Sequence, residues 1–242
     1  DTMKEKILAG KEKVFSKIKA FNAVRNENTE KYTKLNHWLI ALFPIFITSM
    51  AEINHDKSIA SYLKFIVERP TVMLFNFVIA YLIYFILLAI FKKGWIATAI
   101  QGFVYIMLST VELFKFGTNG NHLILSDMKL FKSVKSLTSF AYIKITIPLI
   151  LAWLAVIAVF CVIFWFNPKI KMKPFKRVLT MGACCMPCVS LITMPSFSAP
   201  VYSLFNVDTT KASNTFILNE KFESNSFLAF IVETATESFA NR

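Results

Sequence analysis

The chain has 242 residues, of which 55% are hydrophobic and 25 are phenylalanine, with a formal net charge of +12. Its apolar residues come in blocks of about twenty instead of alternating, which excludes a single soluble domain and predicts an all-α polytopic membrane protein. The charge does not point to nucleic acid: no nucleic-acid fold accompanies it, and basic residues beside spans are what anionic lipid headgroups attract.

Residues 1–34 come first. In "MKEKILAGKEKVFSKIKAF" the residues Met3, Ile7, Val14, Ile18 and Phe21 fall on one helical stripe widened by Leu8 and Phe15, with lysines around the rest. That is a basic amphipathic helix for the inner leaflet. A solvated, partly disordered tail is the alternative, because Gly10 weakens a helix. Residues 22–34 are polar and read as a linker. The first apolar run begins only at Leu35, so no cleavable signal peptide is expected. The opening Asp1 fits a processed product or a fragment.

Residues 35–205 hold five predicted spans, at 35–53, 71–91, 95–114, 145–166 and 178–201, each long enough for a bilayer core of about 30 Å. With no water to satisfy their backbone, they should be helices. The segment between the first two spans is an outside loop ending at Pro70, which suits the first turn of a helix. Lys92, Lys93 and Gly94 make a tight inside turn, so the second and third spans pack as antiparallel neighbours. After the third span, "FKFGTNGNHLILSDMKLF" interrupts the apolar run; Ser126 can cap a short helix whose Leu130, Phe131, Val134 and Leu137 lie flat on the outer face. "NPKIKMKPFKR" is a proline-broken inside turn. Residues 206–242 form an extracellular loop and a second interfacial helix in "SNSFLAFIVETA". Sixteen of the 27 Lys and Arg fall on the N-terminal side of the membrane under this topology, which predicts N-terminus in and C-terminus out.

Chemistry-bearing residues are few. Cys161, Cys184, Cys185 and Cys188 all lie inside predicted spans and read as small apolar packing residues, with no metal site and no disulfide expected. The ionisable groups within spans are Glu52 at the end of the first and Glu112 with Lys115 at the end of the third. Glu112 and Lys115, three apart on one helix, could pair. Asn76 and Gln101 are placed to hydrogen-bond between helices. The three histidines, His37, His55 and His122, sit near span ends or in loops, so no metal-binding set is expected. No phosphate-cradling glycine loop and no serine-centred elbow is present, and the chain alone should show no transferase or hydrolase turnover.

The order of features resembles the N-terminal membrane domain of lipoteichoic acid synthase and related phosphoglycerol transferases of the alkaline phosphatase and sulfatase superfamily. The family pattern around the third span's end runs roughly Lys, Leu, Lys, Phe, Arg, Gly, Glu, Pro, Leu, Leu, Pro, Ser, Asp, Leu, and Lys115, Gly120, Leu123, Ser126 and Asp127 fall on it without a gap. "TSMAEINHDKS", carrying Glu52, and "ERPTVMLFNFVIAYLIYFIL" are similar to the family's segments around the first outside loop. "NSFLAFIVE" resembles its Asn-Gly-Phe-Leu segment, with Ser226 where glycine is usual. Asn119 stands where the family tends to have arginine and His122 where it has proline, which removes that cation.

The resemblance implies five spans followed by an extracellular catalytic domain whose threonine nucleophile and divalent metal, such as manganese, have no counterpart here; no cofactor is expected in this chain. It implies a multi-pass protein of a bacterial plasma membrane, acting as the anchor and lipid-facing platform of a phosphoglycerol transferase-like enzyme. Anionic lipids such as phosphatidylglycerol and its own extracellular domain, or a protein partner, would be what it meets. Lys115, Asn119, His122, Asp127 and Glu52 are the candidate lipid or interdomain contacts. A non-catalytic scaffold or accessory subunit is the alternative, and a small transporter the weaker one, since no charge sits at mid-bilayer depth.

Overall fold

A computed structural model describes residues 2–56, 58–124 and 145–240. They form nine helices: α1 Thr2–Lys31, α2 Thr33–Asp56, α3 Ile59–Glu68, α4 Pro70–Phe91, α5 Gly94–Asn119, α6 Ile147–Phe166, α7 Pro174–Thr193, α8 Pro195–Phe205 and α9 Thr215–Ala240. Five of them, α2, α4, α5, α6 and α7, are long and apolar enough to cross a membrane, so the chain is an all-α, multi-pass membrane protein by length and composition. The expected helix from Ser126 to Leu137, with Asp127, lies outside the described residues.

The bundle has two ends. At one, the turn between α4 and α5 locks against the segment after α6. Lys92 caps α4 in the left-handed conformation, the Gly94 N–H donates to the Pro168 carbonyl at 2.8 Å, and Ile170 donates to Lys92 at 3.1 Å. A Cβ on Gly94 would stand 2.8 Å from Pro168 Cγ, so no larger residue fits this crossing. Arg177 spends its guanidinium on the last carbonyls of α4, Ala89 at 2.7 Å and Ile90 at 2.9 Å, groups that a helix end otherwise leaves unpaired.

The polar stretch 22–31, expected as a linker, continues α1 instead. Its physical reason is a second set of orphan carbonyls. Arg25 donates to the Phe164 carbonyl at 2.8 Å with its charge 3.6 Å from that ring's centroid, and Asn28 and Thr29 reach the carbonyls of Trp165 and Asn167. A cation at the C-terminus of α6 also suits the helix dipole. Propensity called for a loop, and these tertiary contacts override it.

Between the ends, Phe43 and Ile47 of α2, Phe75 and Tyr84 of α4, and Tyr105 and Ile106 of α5 are buried together. Gly102 lets α5 approach closely: a Cβ there would stand 3.4 Å from Phe43 and 3.5 Å from Val156. The polar groups in this core bond between helices, as the sequence suggests: Gln101 donates to the Ala80 carbonyl at 2.9 Å, and the Tyr84 and Thr98 hydroxyls meet at 3.1 Å. Outward, Leu74, Val78, Ile150, Leu154, Ile157, Val178 and Val189 stay bare, the apolar jacket expected of helices that face lipid.

The other end differs most from expectation. The presumed loop after α2 contains α3, whose Ser58 hydroxyl accepts from the Ala60 and Ser61 amides. The fifth span stops at Thr193, and Pro195 starts α8 after the break at Met194. The short interfacial helix expected in residues 224–235 is the middle of the 26-residue α9, whose Phe227, Leu228, Ala229 and Phe230 are buried against the bundle. It is packed structure, not a surface float.

Candidate functional site

Glu52 lies in the penultimate turn of α2 and is 1% exposed, facing the bend of α9. At that bend Ser226 has φ 61 and ψ −176, a region that essentially only glycine occupies without strain. The helix therefore restarts at Phe227 with unpaired N–H groups. Glu52 takes them: its carboxylate accepts from the Ser226 hydroxyl in a short bond and from the Phe227 N–H at 3.2 and 3.3 Å. Asn76 of α4 completes the cap, its Oδ1 accepting from the Ala229 N–H at 2.7 Å. A carboxylate at this position also meets the positive end of the helix dipole.

Ser226 thus carries strain and a hydrogen bond at once, and two substitutions separate them. Ser226→Ala keeps the strained φ and loses the bond, whereas Ser226→Gly loses the bond and relieves the strain. The glycine variant should be more stable than the alanine variant by about 1–2 kcal/mol. Paired thermal unfolding curves in one detergent measure the gap; equal stabilities would mean that the bend is not strained.

The bend folds the two halves of α9 together. Lys221 and Glu233 would stand about 18 Å apart on a straight helix. Here the Lys221 Nζ is 2.5 Å from a Glu233 carboxylate oxygen and 3.2 Å from Glu237, with the lysine fully buried. Asn225 fastens the preceding loop to this turn, accepting from the Asp208 N–H at 2.6 Å and donating to the Asp208 carbonyl at 2.7 Å.

A second cluster lies beside the first. Glu112 of α5 is fully buried, and its carboxylate pairs with His122 Nδ1 at 2.5 Å while accepting a short bond from the Leu123 N–H. His55, one turn beyond Glu52 on α2, brings its Nδ1 to 4.0 Å from the same Glu112 oxygen. One ligand atom from each of His55, Glu112 and His122 lies within 4.8 Å of the others. The His122 ring is sandwiched, 3.7 Å from Phe222 at an interplanar angle of 3° and 4.4 Å from Phe116 at 15°. Flat aromatic faces on both sides keep water from the ring and fix its plane.

The chain reaches this geometry because Gly120, in the left-handed conformation, ends α5 and turns His122 back over the helix. Lys115 secures the turn by donating to the His122 carbonyl at 2.5 Å. Asn119 holds the loop locally, accepting from the Asn121 N–H at 3.0 Å, and Asn219 of α9 donates to the Gly120 carbonyl at 3.1 Å.

Of the sequence candidates, Glu52, Lys115, Asn119 and His122 are therefore drawn to one end of the bundle, with Asp127 outside the described residues. They act there as ties between elements. The expected Glu112–Lys115 pairing gives way to a Glu112 held by the loop it faces. Asn76 bonds between helices as the sequence suggests, whereas His55, Phe222, Lys221 and Glu233 are the participants that sequence reasoning missed. Depth was the available signal: Glu52 and His55 close one span, Glu112 closes another that runs parallel to it, and all three reach the same end.

Next to the pairs of α9 lies a polar pocket of about 870 Å³ lined by Arg69, Ser198, Tyr202, Asn206 and Lys211 together with Glu233 and Glu237. The His122 cluster borders a smaller pocket of about 260 Å³ with Phe65, Glu223 and Ser226 in its wall. No family model matches the chain, and no curated protein and no solved structure matches it.

Proposed function

We propose that this chain is the membrane anchor and lipid-facing platform of an enzyme resembling a phosphoglycerol transferase, with the Glu52 end of the bundle outside the cell. The observation that carries the reading is the clasp of α9. Glu52 and Asn76 bind the restart of that helix to the ends of two spans, so the C-terminal helix is seated rigidly on the bundle. An anchor that presents a neighbouring domain to a membrane surface needs that fixed seat.

The larger pocket supports the lipid side of the reading. It opens beside α3 and α8 at the level where the spans end, and Arg69 and Lys211 give it two cations, with Asp208, Glu233 and Glu237 in the same wall. Those two cations are the groups that would meet a phosphate headgroup. Lys221, by contrast, is engaged with Glu233 and Glu237 and is not offered to a ligand.

Lipid retention tests this directly. In nanodiscs of phosphatidylcholine and phosphatidylglycerol, the purified chain should retain phosphatidylglycerol selectively. Replacing Arg69 and Lys211 with alanine together should weaken that preference, each cation being worth about 1 kcal/mol near a headgroup, or about fivefold. Native mass spectrometry reads the retained lipid, and equal retention of both lipids would overturn the platform reading.

Orientation is tested separately. Cysteines introduced at Glu30 and Thr210, both exposed, bracket the two ends of the bundle. An impermeant maleimide applied outside intact cells should label position 210 and spare position 30. The reverse pattern would place the clasp in the cytoplasm.

A further inference from the structure

We propose that His55, Glu112 and His122 form a binding site for a divalent cation of the zinc class. Three elements deliver the donors: the end of α2, the last turns of α5 and the loop after it. Two imidazoles and one carboxylate are the donor set that suits zinc, and imidazole favours late first-row metals over magnesium or calcium.

The spacing is close to what an ion needs. Zinc held at about 2.0–2.2 Å by each ligand in tetrahedral geometry separates its ligand atoms by about 3.3–3.6 Å. The present separations from the Glu112 oxygen, 2.5 Å to His122 and 4.0 Å to His55, fall on either side of that range. A displacement of under about 1 Å, well within rotamer adjustment, brings both to it. The ion would take the place of the proton shared between His122 and Glu112, and that proton would leave to solvent.

The surroundings are those of a supported site. The second Glu112 oxygen accepts from the Leu123 N–H, which orients the carboxylate, and Lys115 fixes the His122 backbone through its carbonyl. Phe116 and Phe222 hold the His122 ring in its plane. Three protein ligands leave one position open, and the pocket of about 260 Å³ beside His55 and His122 has room for a water or an anion's oxygen there. The bound ion would tie the loop after α5 to two spans.

The test uses the full chain in detergent, stripped with a chelator and titrated with zinc chloride by calorimetry, with cobalt absorption as the readout of ligand geometry. One equivalent should bind, with the tetrahedral ligand-field bands of a nitrogen and oxygen site. His55→Ala and His122→Gln should each weaken binding by about a hundredfold or more. His37→Ala should change nothing. Serine at Cys184, Cys185 and Cys188 should also leave the affinity intact, which separates this site from adventitious thiolate binding.

His55 is the safer of the two ligand positions, since its side chain is 11% exposed and packs less tightly than His122. If His122→Gln fails to fold, His55→Ala and the wild-type cobalt spectrum decide the matter. A wild-type chain that takes up no zinc, or one whose binding survives His55→Ala or disappears with the cysteines, overturns the proposal and leaves a proton as the sole occupant.

Discussion

Glu52→Ala should destabilise the folded chain by about 3 kcal/mol and release α9 from the bundle. The substitution strips a charged acceptor from two donors that have no water to turn to, the Ser226 hydroxyl and the Phe227 N–H. Hydrogen bonds to charged groups are worth about 1.5–3 kcal/mol each, and an abandoned buried donor costs about as much again as a neutral bond returns. Glu52→Gln keeps an acceptor and loses the charge that meets the helix dipole, so its cost should be nearer 1 kcal/mol. Two readouts check this. Thermal unfolding in detergent should order the variants wild type, glutamine, alanine. Hydrogen exchange should accelerate at the Phe227 to Ala229 amides in the alanine variant while the amides of α4 and α5 stay protected. A Glu52→Ala chain within 0.5 kcal/mol of wild type would mean that Phe227 and Phe230 hold α9 by packing alone, and the platform reading would lose its supporting observation.

How much of this clasp could be read from the sequence depends on which physical signal each part sends. The spans announce themselves because a bilayer demands some twenty apolar residues from each, and no tertiary detail can alter that demand. Asn76 and Gln101 were also legible as interhelical bonders, since an amide inside a span must find a partner. Glu52 stood out for the same reason of cost. What it grips did not, because Ser226 lies more than 170 residues away and its unusual φ leaves a trace only as a position where glycine would be easier.

The histidines show the opposite failure. Taken one at a time at span ends, His55 and His122 look like ordinary interface residues. Their meaning comes from the parallel pairing of α2 with α5, which puts His55 beside Glu112, and from Gly120, which folds His122 back onto the helix it has just left. The continuation of α1 past residue 21 is illegible for a related reason. Its polar residues 22–31 have no apolar stripe to declare a helix, and what holds them is the carbonyl end of α6, distant in sequence.

The buried pairs of α9 give the second large effect, and it depends on pH. Burial pushes the Glu233 carboxyl up to about 7, a rise that Lys221 opposes by its hydrogen bond and charge, and to which Glu237 and Asp208 add. Between its ordinary value near 4.5 and about 7, the folded chain therefore binds a proton at Glu233 that the unfolded chain has released. Stability contributed by this group is full below that window and falls as pH rises through it, by up to the order of 3 kcal/mol at about 1.4 kcal/mol per unit. Glu233→Gln should flatten the fall, leaving a melting temperature nearly level from pH 4.5 to 7. Lys221→Met should do the reverse. It removes the cation that favours the charged carboxylate, so Glu233 holds its proton to higher pH and the decline extends above 7, where ionising Glu233 beside Glu237 without a counterion should cost about 3–5 kcal/mol. Melting curves of the three chains across pH 4 to 9 in one detergent distinguish the cases. Parallel curves for wild type and Glu233→Gln would show that Glu233 titrates as an exposed acid does, with the 2.5 Å contact to Lys221 offsetting its burial in full.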